Sequence, residues 1–109
     1  MANYSAQLDD VFVALADPTR RGVVRRLGEG PATVGELARS YPMALPSFMK
    51  HVRTLESAGL IHTAKQGRVR TCALNRERLA VVEDWLAEQR DVWERRTDRL
   101  EQFLQEDRS

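Results

Sequence analysis

Apolar residues recur at steps of three and four along much of the chain, and this period predicts amphipathic helices. A first helix is expected over about residues 5–15. Asp17 and Pro18 should open a second helix, because aspartate is a good N-cap and proline is favoured at the first helical position. A third helix should begin at residues 33–36, which read TVGE and have the pattern of a capping box.

The period changes from that of a helix to that of a strand in the middle of the chain. A fourth helix is expected over about residues 45–58, and Gly59 is a natural C-cap for it. Apolar and polar residues then alternate, which predicts two strands within residues 61–74. Gln66 and Gly67 should form the turn between the strands, since glycine supplies the positive φ that a tight hairpin needs.

One long helix should close the chain over about residues 76–105. At 1.5 Å per residue it would span about 45 Å, which exceeds the width of a compact domain of this size. In a heptad frame Leu79, Leu86, Trp93 and Leu100 fall at one seam position, and Val82, Gln89, Arg96 and Phe103 fall at the other. Because the preceding residues cannot cover so long a seam, we expect much of it to pack against a second copy. An intramolecular core helix with a frayed end is the alternative.

The composition is that of one soluble globular domain over residues 1–109, with 42% apolar and 30% charged residues. Its apolar runs are too short for a membrane span, and its N-terminal residues lack the features of a signal peptide. The single cysteine, Cys72, excludes an internal disulfide and fits a reducing compartment. A cytoplasmic location is therefore expected.

The net charge of +1 is unevenly distributed. Residues 1–44 hold five basic and five acidic residues, residues 45–75 hold five basic and one acidic residue, and residues 76–109 hold seven basic and ten acidic residues. The local excess of positive charge, +4, falls on the fourth helix and the hairpin. Such a concentration is expected of a surface that faces phosphates. The basic residues there are Lys50, Arg53, Lys65, Arg68 and Arg70.

These elements predict a mainly helical fold with a small β-hairpin, in the order α-α-α-α-β-β-α. Two short helices joined by a break form a helix-turn-helix, and a following hairpin makes it a winged helix. Ser47, Lys50 and Arg53 place hydrogen-bond donors on the exposed side of the fourth helix. We interpret this helix and the basic hairpin as a surface that binds a DNA duplex. A generic small α+β domain is the alternative for the same order of elements.

Four stretches of the chain resemble the ArsR family of bacterial winged-helix repressors. They are LADPTRRGVVRRL at residues 15–27, TVGELA at 33–38, PSFMKHVRTLESAGLI at 46–61 and the QGR turn at 66–68. The first and third stretches are the more specific. The resemblance implies homodimers joined through the first and last helices, recognition helices in successive major grooves, and wings along the flanking DNA backbone.

The resemblance also assigns roles to single residues. It places Ser47, Lys50 and Arg53 towards DNA and Arg68 at the wing tip. His51 matches a family histidine that usually packs and orients the helix, and a base contact is the alternative. Three further residues, Phe48, Val52 and Leu55, match core positions. The residues expected at the dimer interface are Leu8, Phe12, Leu79, Val82, Leu86, Trp93, Leu100 and Phe103.

The chain departs from the family pattern at the start of the fourth helix. Ala44 and Leu45 stand where many members have Ser-Gln, and Met49 replaces a common serine. The helix cap should therefore be weaker. Either Leu45 and Met49 meet a thymine methyl group in the major groove, or one or both of them tuck into the core or against the first helix. The full set of expected DNA-binding residues is Leu45, Ser47, Met49, Lys50, Arg53, Lys65, Arg68 and Arg70.

Neither a metal nor a cofactor is expected. The founding members of the family bind metals through cysteines of the third helix or Asp/His sets of the last. Here the third helix has no cysteine and the last helix has no histidine. Thiolate and imidazole ligands select zinc and thiophilic ions, and Cys72, His51 and His62 would have to converge to supply three. Cys72 is expected to be a small core residue, with a redox role as the alternative.

The sequence thus predicts a homodimeric, sequence-specific repressor that binds an inverted-repeat operator of its own or a neighbouring operon without a metal. An enzyme is disfavoured, because the sequence has neither a Gly-rich phosphate loop nor a recognisable pairing of nucleophile and base. Two alternatives stay open. One is a winged-helix module whose basic face meets an acidic protein, and the other is a metal- or thiol-responsive repressor with an unrecognised site.

Overall fold

The computed structural model describes the backbone of residues 3–108 and the side chains of residues 5–107. Over this range the chain forms five helices and a three-stranded antiparallel sheet. The helices are α1 (Asn3–Leu15), α2 (Pro18–Leu27), α3 (Val34–Ala38), α4 (Leu45–Ser57) and α5 (Arg76–Arg108). The strands are β1 (Ala32–Thr33), β2 (Ile61–Gln66) and β3 (Val69–Leu74), in the sheet order β1-β3-β2. The winged helix-turn-helix fold is confirmed.

The predicted order of elements is incomplete, because it lacks β1. Ala32 pairs with Cys72 and Thr33 pairs with Thr71, so β1 lies against the outer edge of the hairpin. A strand of two residues has no periodic signal of its own. It forms only because the fold brings β3 beside it, which local sequence patterns cannot reveal.

The predicted turn of the hairpin is displaced by one residue. Gln66 pairs with Val69, so the two turn residues are Gly67 and Arg68 rather than Gln66 and Gly67. Gly67 has a φ of +65°, whereas the φ of Arg68 is not positive. A positive φ at the first turn residue alone is the pattern of a type II′ hairpin turn. The shift places Arg68 at the very tip of the wing.

Local signals set the helix starts as the sequence predicts. The Asp17 carboxylate accepts a hydrogen bond of 3.0 Å from the backbone N–H of Arg20, and Pro18 is the first residue of α2. The Thr33 hydroxyl likewise accepts from the backbone N–H of Glu36 at 3.1 Å and caps α3. Ala44 occupies the N-cap position of α4 and has no polar side chain to offer. The expectation of a weaker cap is therefore confirmed.

The core lies between the helices and the inner face of the sheet. Phe48, Val52 and Leu55 of α4 are buried, as predicted. Cys72 of β3 is fully buried in the same cluster. These side chains occupy one side of α4, so the opposite side must face solvent.

The junction between α4 and the hairpin is closely held. Gly59 follows α4 with a φ of +77°, a left-handed conformation that favours glycine. Its carbonyl accepts a 2.8 Å hydrogen bond from the Asn75 side chain, and the backbone N–H of Asn75 donates to the Leu60 carbonyl at 2.8 Å. The last residue before α5 thus ties both ends of the wing to the end of α4.

The helix α5 extends well beyond the rest of the fold. Its 33 residues span about 50 Å, and the radius of gyration is 19.6 Å, against about 13 Å for a compact chain of this length. Its first turns pack on the core through Leu79 and Val82, and Trp85 meets Phe12 of α1 edge-on at 5.6 Å between ring centroids. Residues 90–107 are exposed throughout.

None of the helices within residues 3–108 combines the length and the apolar character that a membrane span requires.

Replacing Asp17 by alanine should lower the free energy of unfolding by about 1 kcal/mol at neutral pH, because α2 loses its N-cap. The backbone N–H of Arg20 holds the pKa of Asp17 below its ordinary value against the opposing effect of partial burial, and the charges of His51 and Arg20 lower this pKa further. The contribution of the carboxylate is therefore fully present above the unfolded-state pKa of about 3.9 and is lost as the pH falls through the folded-state pKa.

Urea unfolding at one protein concentration, at pH 7 and at pH 3, measures this difference between wild type and Asp17→Ala. The difference should shrink on acidification. The control is Asp9→Ala, a change at an exposed carboxylate of α1, which should alter stability by less than about 0.5 kcal/mol. A difference that is the same at both pH values would contradict the capping role.

Candidate nucleic-acid interface

The side of α4 opposite the core carries the hydrogen-bond donors that the sequence predicts for DNA. Ser47, Lys50 and Arg53 are all exposed. Phe48 and Val52, which alternate with them along the helix, are buried. The burial of one side of α4 therefore determines which side chains remain free to meet another molecule.

His51 lies at the edge of this surface and is held by α2. Arg20 donates from Nη1 to His51 Nδ1 at 3.1 Å, while its Nε donates to the carbonyl of Ala14 at 2.6 Å and its Nη2 to that of Val13 at 3.2 Å. Since a guanidinium group can only donate, Nδ1 is the acceptor of this hydrogen bond when the imidazole is neutral. Asp17 Oδ2 lies 3.7 Å from the same ring nitrogen. These contacts favour the interpretation of His51 as a packing residue that orients α4.

The wing carries three basic residues near its tip, with two different environments. Lys65 and Arg68 are exposed. Arg70 is half-buried and donates to the Thr63 hydroxyl at 2.7 Å, and this hydroxyl donates in turn to the Glu56 carboxylate. Glu56 belongs to α4, so this chain of hydrogen bonds joins the wing to the helix. It also compensates part of the Arg70 charge.

A cleft of about 440 Å³ separates the start of α4 from the wing. Five of the predicted DNA-binding residues meet there, namely Leu45, Met49, Lys65, Arg68 and Arg70. Leu45 is 57% exposed, whereas Met49 is half-buried and packs against the core. The two residues therefore differ: Met49 leans inward, and Leu45 remains open to solvent.

Sequence reasoning missed the other lining residues of this cleft, which are Thr33, Val34, Gly35 and Val69. The first three reach it because β1 and the start of α3 lie beside the hairpin. The alternation of β3 does place Val69 next to the turn, but the pattern alone does not show which face of the hairpin turns towards α4.

Arg53 lies apart from the cleft. It borders a separate groove of about 340 Å³ together with Asp10 and Val13 of α1. The predicted DNA-binding residues thus form one cluster at the start of α4 and the wing, with Ser47 and Lys50 on the adjoining helix surface and Arg53 at its far end.

The residues considered for a sensor site have other surroundings. Among the side chains that the structure describes, His, Cys, Asp and Glu residues do not form a group of three or more that could hold a metal ion. Cys72 is fully buried, and this burial raises the pKa of its thiol. A thiol with a raised pKa forms less of the reactive thiolate, which favours the interpretation of Cys72 as a core residue.

The residues predicted for a dimer interface fall into two groups. Leu8 is buried, and Leu79 and Val82 are half-buried, by contacts within the chain. The others remain open: Phe12 is 40% exposed, Leu86 48%, Leu100 57%, Phe103 63% and Trp93 69%. These five residues and Leu104, which is 48% exposed, are named the apolar face of α1 and α5.

Comparisons with known proteins agree with this architecture. A family model described as a helix-turn-helix domain matches residues 15–64. The HTH-type transcriptional regulator Rv2034 of Mycobacterium tuberculosis is 40% identical over 74 residues, which cover 68% of this chain and 69% of the relative. The transcriptional repressor SdpR of Bacillus subtilis is 30% identical over 79 residues, which cover 72% of this chain and 88% of the relative.

A solved structure extends the similarity to most of the chain. The crystal structure of an ArsR family transcriptional regulator is 62% identical, covers 86% of this chain and 97% of its own, and superposes with a TM-score of 0.82. The chain therefore belongs to the ArsR family of winged helix-turn-helix transcriptional regulators, which bind DNA.

Proposed function

We propose that the protein is a homodimeric repressor that binds an inverted-repeat operator of its own or a neighbouring operon without a metal. The observation that carries the proposal is the shared surface of α4 and the wing, where exposed donors and cations lie around one cleft. The relative SdpR is named as a transcriptional repressor, and this supports repression rather than activation.

In this proposal α4 enters the major groove and the wing follows the DNA backbone. Ser47 and Lys50 are exposed near the start of α4, and the N-terminal residues of a recognition helix are those that reach base edges. Lys65 and Arg68 extend from the wing tip and would pair with phosphates. Arg70 is engaged by Thr63 and Glu56, so its main contribution would be to hold the wing against α4.

The apolar face of α1 and α5 supports the dimer. Groups of exposed large apolar side chains mark contact surfaces in soluble proteins, and a two-fold dimer uses the same patch on both subunits. A second copy would cover the residues that the single chain leaves open. The two α4 helices would then read two inverted half-sites about one helical turn of DNA apart.

The proposal includes no sensing metal, because α3 and α5 lack the ligand types that metal-sensing members of the family use there. The helix α3 contains no cysteine and α5 contains no histidine, whereas thiolates and imidazoles are the ligands that select zinc and thiophilic ions. His51 is engaged by Arg20, and Cys72 lies in the core. Repression would then follow from occupation of the operator itself.

Arg68→Ala should weaken binding to every duplex sequence and reduce its salt dependence. Each phosphate contact contributes about 0.9 to the slope of log K against log salt, so a dimer that loses both Arg68 contacts should lose about two units of slope. Fluorescence anisotropy with random and selected duplexes at several salt concentrations measures both quantities. The matched control is Arg99→Ala on the exposed distal part of α5, which should leave the slope unchanged. An unchanged slope for Arg68→Ala would contradict the placement of the wing.

Trp93→Glu should convert the dimer to monomers, because it places a charge in the apolar face of α1 and α5. Losing a buried tryptophan anchor from an interface typically costs at least about 2 kcal/mol, so the dimer dissociation constant should rise at least about 30-fold. The side chain is 69% exposed in the single chain, so the fold itself should persist. Light scattering after size exclusion gives the mass, and circular dichroism checks the helix content.

The control for this change is Glu94→Ala, at the adjacent exposed position of α5 outside the predicted seam. It should remain dimeric. A wild-type protein that has the mass of one chain at micromolar concentration would overturn the proposed dimer, and so would a Trp93→Glu variant that keeps the wild-type mass.

A further inference from the structure

The cleft between α4 and the wing has an apolar floor with cations on one side. Leu45 and Met49 lie on the α4 side, and Val69 lies on the wing side. Leu45 is 57% and Val69 is 51% exposed. Lys65 and Arg68 border the same cleft. A partner that fits must therefore offer an apolar group next to negative charge.

We propose that Leu45, backed by Met49, is a specificity-determining residue that contacts the 5-methyl group of one thymine in each half-site. This inference rests on the proposed binding of α4 in the major groove. It adds a chemical group on the DNA that the protein distinguishes, and it assigns the cleft to a DNA strand.

The position of Leu45 within α4 supports this role. Leu45 is the first residue of the helix, and residues at the start of a recognition helix are placed to contact base edges. The thymine methyl is the apolar group that natural bases present in the major groove. At the preceding position Ala44 also lacks a polar side chain, so the start of this helix cannot bond to the polar edges of bases through these two side chains.

Met49 would allow the contact of Leu45 to distinguish a thymine methyl group from a hydrogen atom. It lies one turn after Leu45, lines the same cleft and packs against the core. From this place it would limit the directions in which the Leu45 side chain can turn away from the groove. A leucine held in one place discriminates between a methyl group and a hydrogen atom, because only the methyl group fills the space against it.

The cations on the wing side of the cleft supply the positive charge that DNA phosphates require. Lys65 is exposed, and Arg68 stands at the wing tip. Both can pair with phosphates while Leu45 meets a base of the same duplex. DNA with a thymine at this place offers the apolar group and the charge together, which a bare phosphate does not.

The test begins with duplex DNA that the full-length protein selects from a random pool. Each thymine of the selected half-site is then replaced in turn by deoxyuridine, which keeps the base pairing and removes only the methyl group. Wild-type affinity should fall about fourfold at one thymine of each half-site, the effect of one methyl-sized group leaving water. Leu45→Ala should bind thymine and deoxyuridine duplexes equally well at that position.

Two further variants keep the test decisive. Leu45→Met keeps an apolar side chain of similar volume and should preserve part of the preference for thymine. Ser47→Ala should weaken both duplexes by the same factor, because it leaves the Leu45 side chain unchanged. Thermal unfolding confirms that each variant folds, which is expected for side chains as exposed as these.

The inference is overturned if no thymine shows a methyl effect in the wild type, or if the effect persists undiminished in Leu45→Ala. Either result leaves the cleft to another occupant, such as a small amphipathic anion. The proposed function fails by a different result, which is that no duplex sequence is enriched at all. The two failures are therefore distinguishable in one set of measurements.

Discussion

The two sides of α4 have opposite environments, and this difference determines which of its residues can meet another molecule. One side must bury Phe48, Val52 and Leu55, and such side chains contribute about 1.5–3 kcal/mol each when they leave water. A rotation of the helix by one residue would be about 100° and would expose this apolar side. The free energy that holds α4 in the core therefore also fixes Ser47 and Lys50 on the outside.

Polar contacts further restrict the movement of α4 relative to its neighbouring elements. Arg20 bonds to carbonyls at the end of α1 and to His51 on α4, so one guanidinium group joins the first and fourth helices. At the other end of α4, Asn75 ties the ends of the wing to Gly59 and Leu60. The candidate interface is thus carried by elements that hydrogen bonds tie together, and a precise contact with bases would require such support.

Local sequence signals predict the parts of the fold that depend on interactions between residues close together in the chain. The Asp17 cap, the Thr33 capping pattern and the buried side of α4 depend on residues within one or two turns of one another, and all are confirmed. The features that sequence reasoning missed depend on distant pairing. The strand β1 exists because Ala32 meets Cys72, and the turn moves by one residue because Gln66 pairs with Val69.

The same distinction applies to the candidate site. Charge counting along the chain locates its basic region, but it treats Arg70 and Arg68 as equivalent. Only the three-dimensional arrangement shows that Thr63 and Glu56 engage Arg70, and that Arg53 borders a different groove from the wing residues. Composition thus identifies the surface, while the division of roles within it requires the packing of α4 against the hairpin.

We propose that two chains, joined along α5, present two copies of the α4 and wing surface to one duplex. The most direct measurement is the sequence of the DNA that the purified full-length protein selects from a random pool, with the mass of the resulting complex. We expect an inverted repeat with half-sites about one helical turn apart, bound by two chains. An enriched site without two-fold symmetry, or one bound by a single chain, would contradict it.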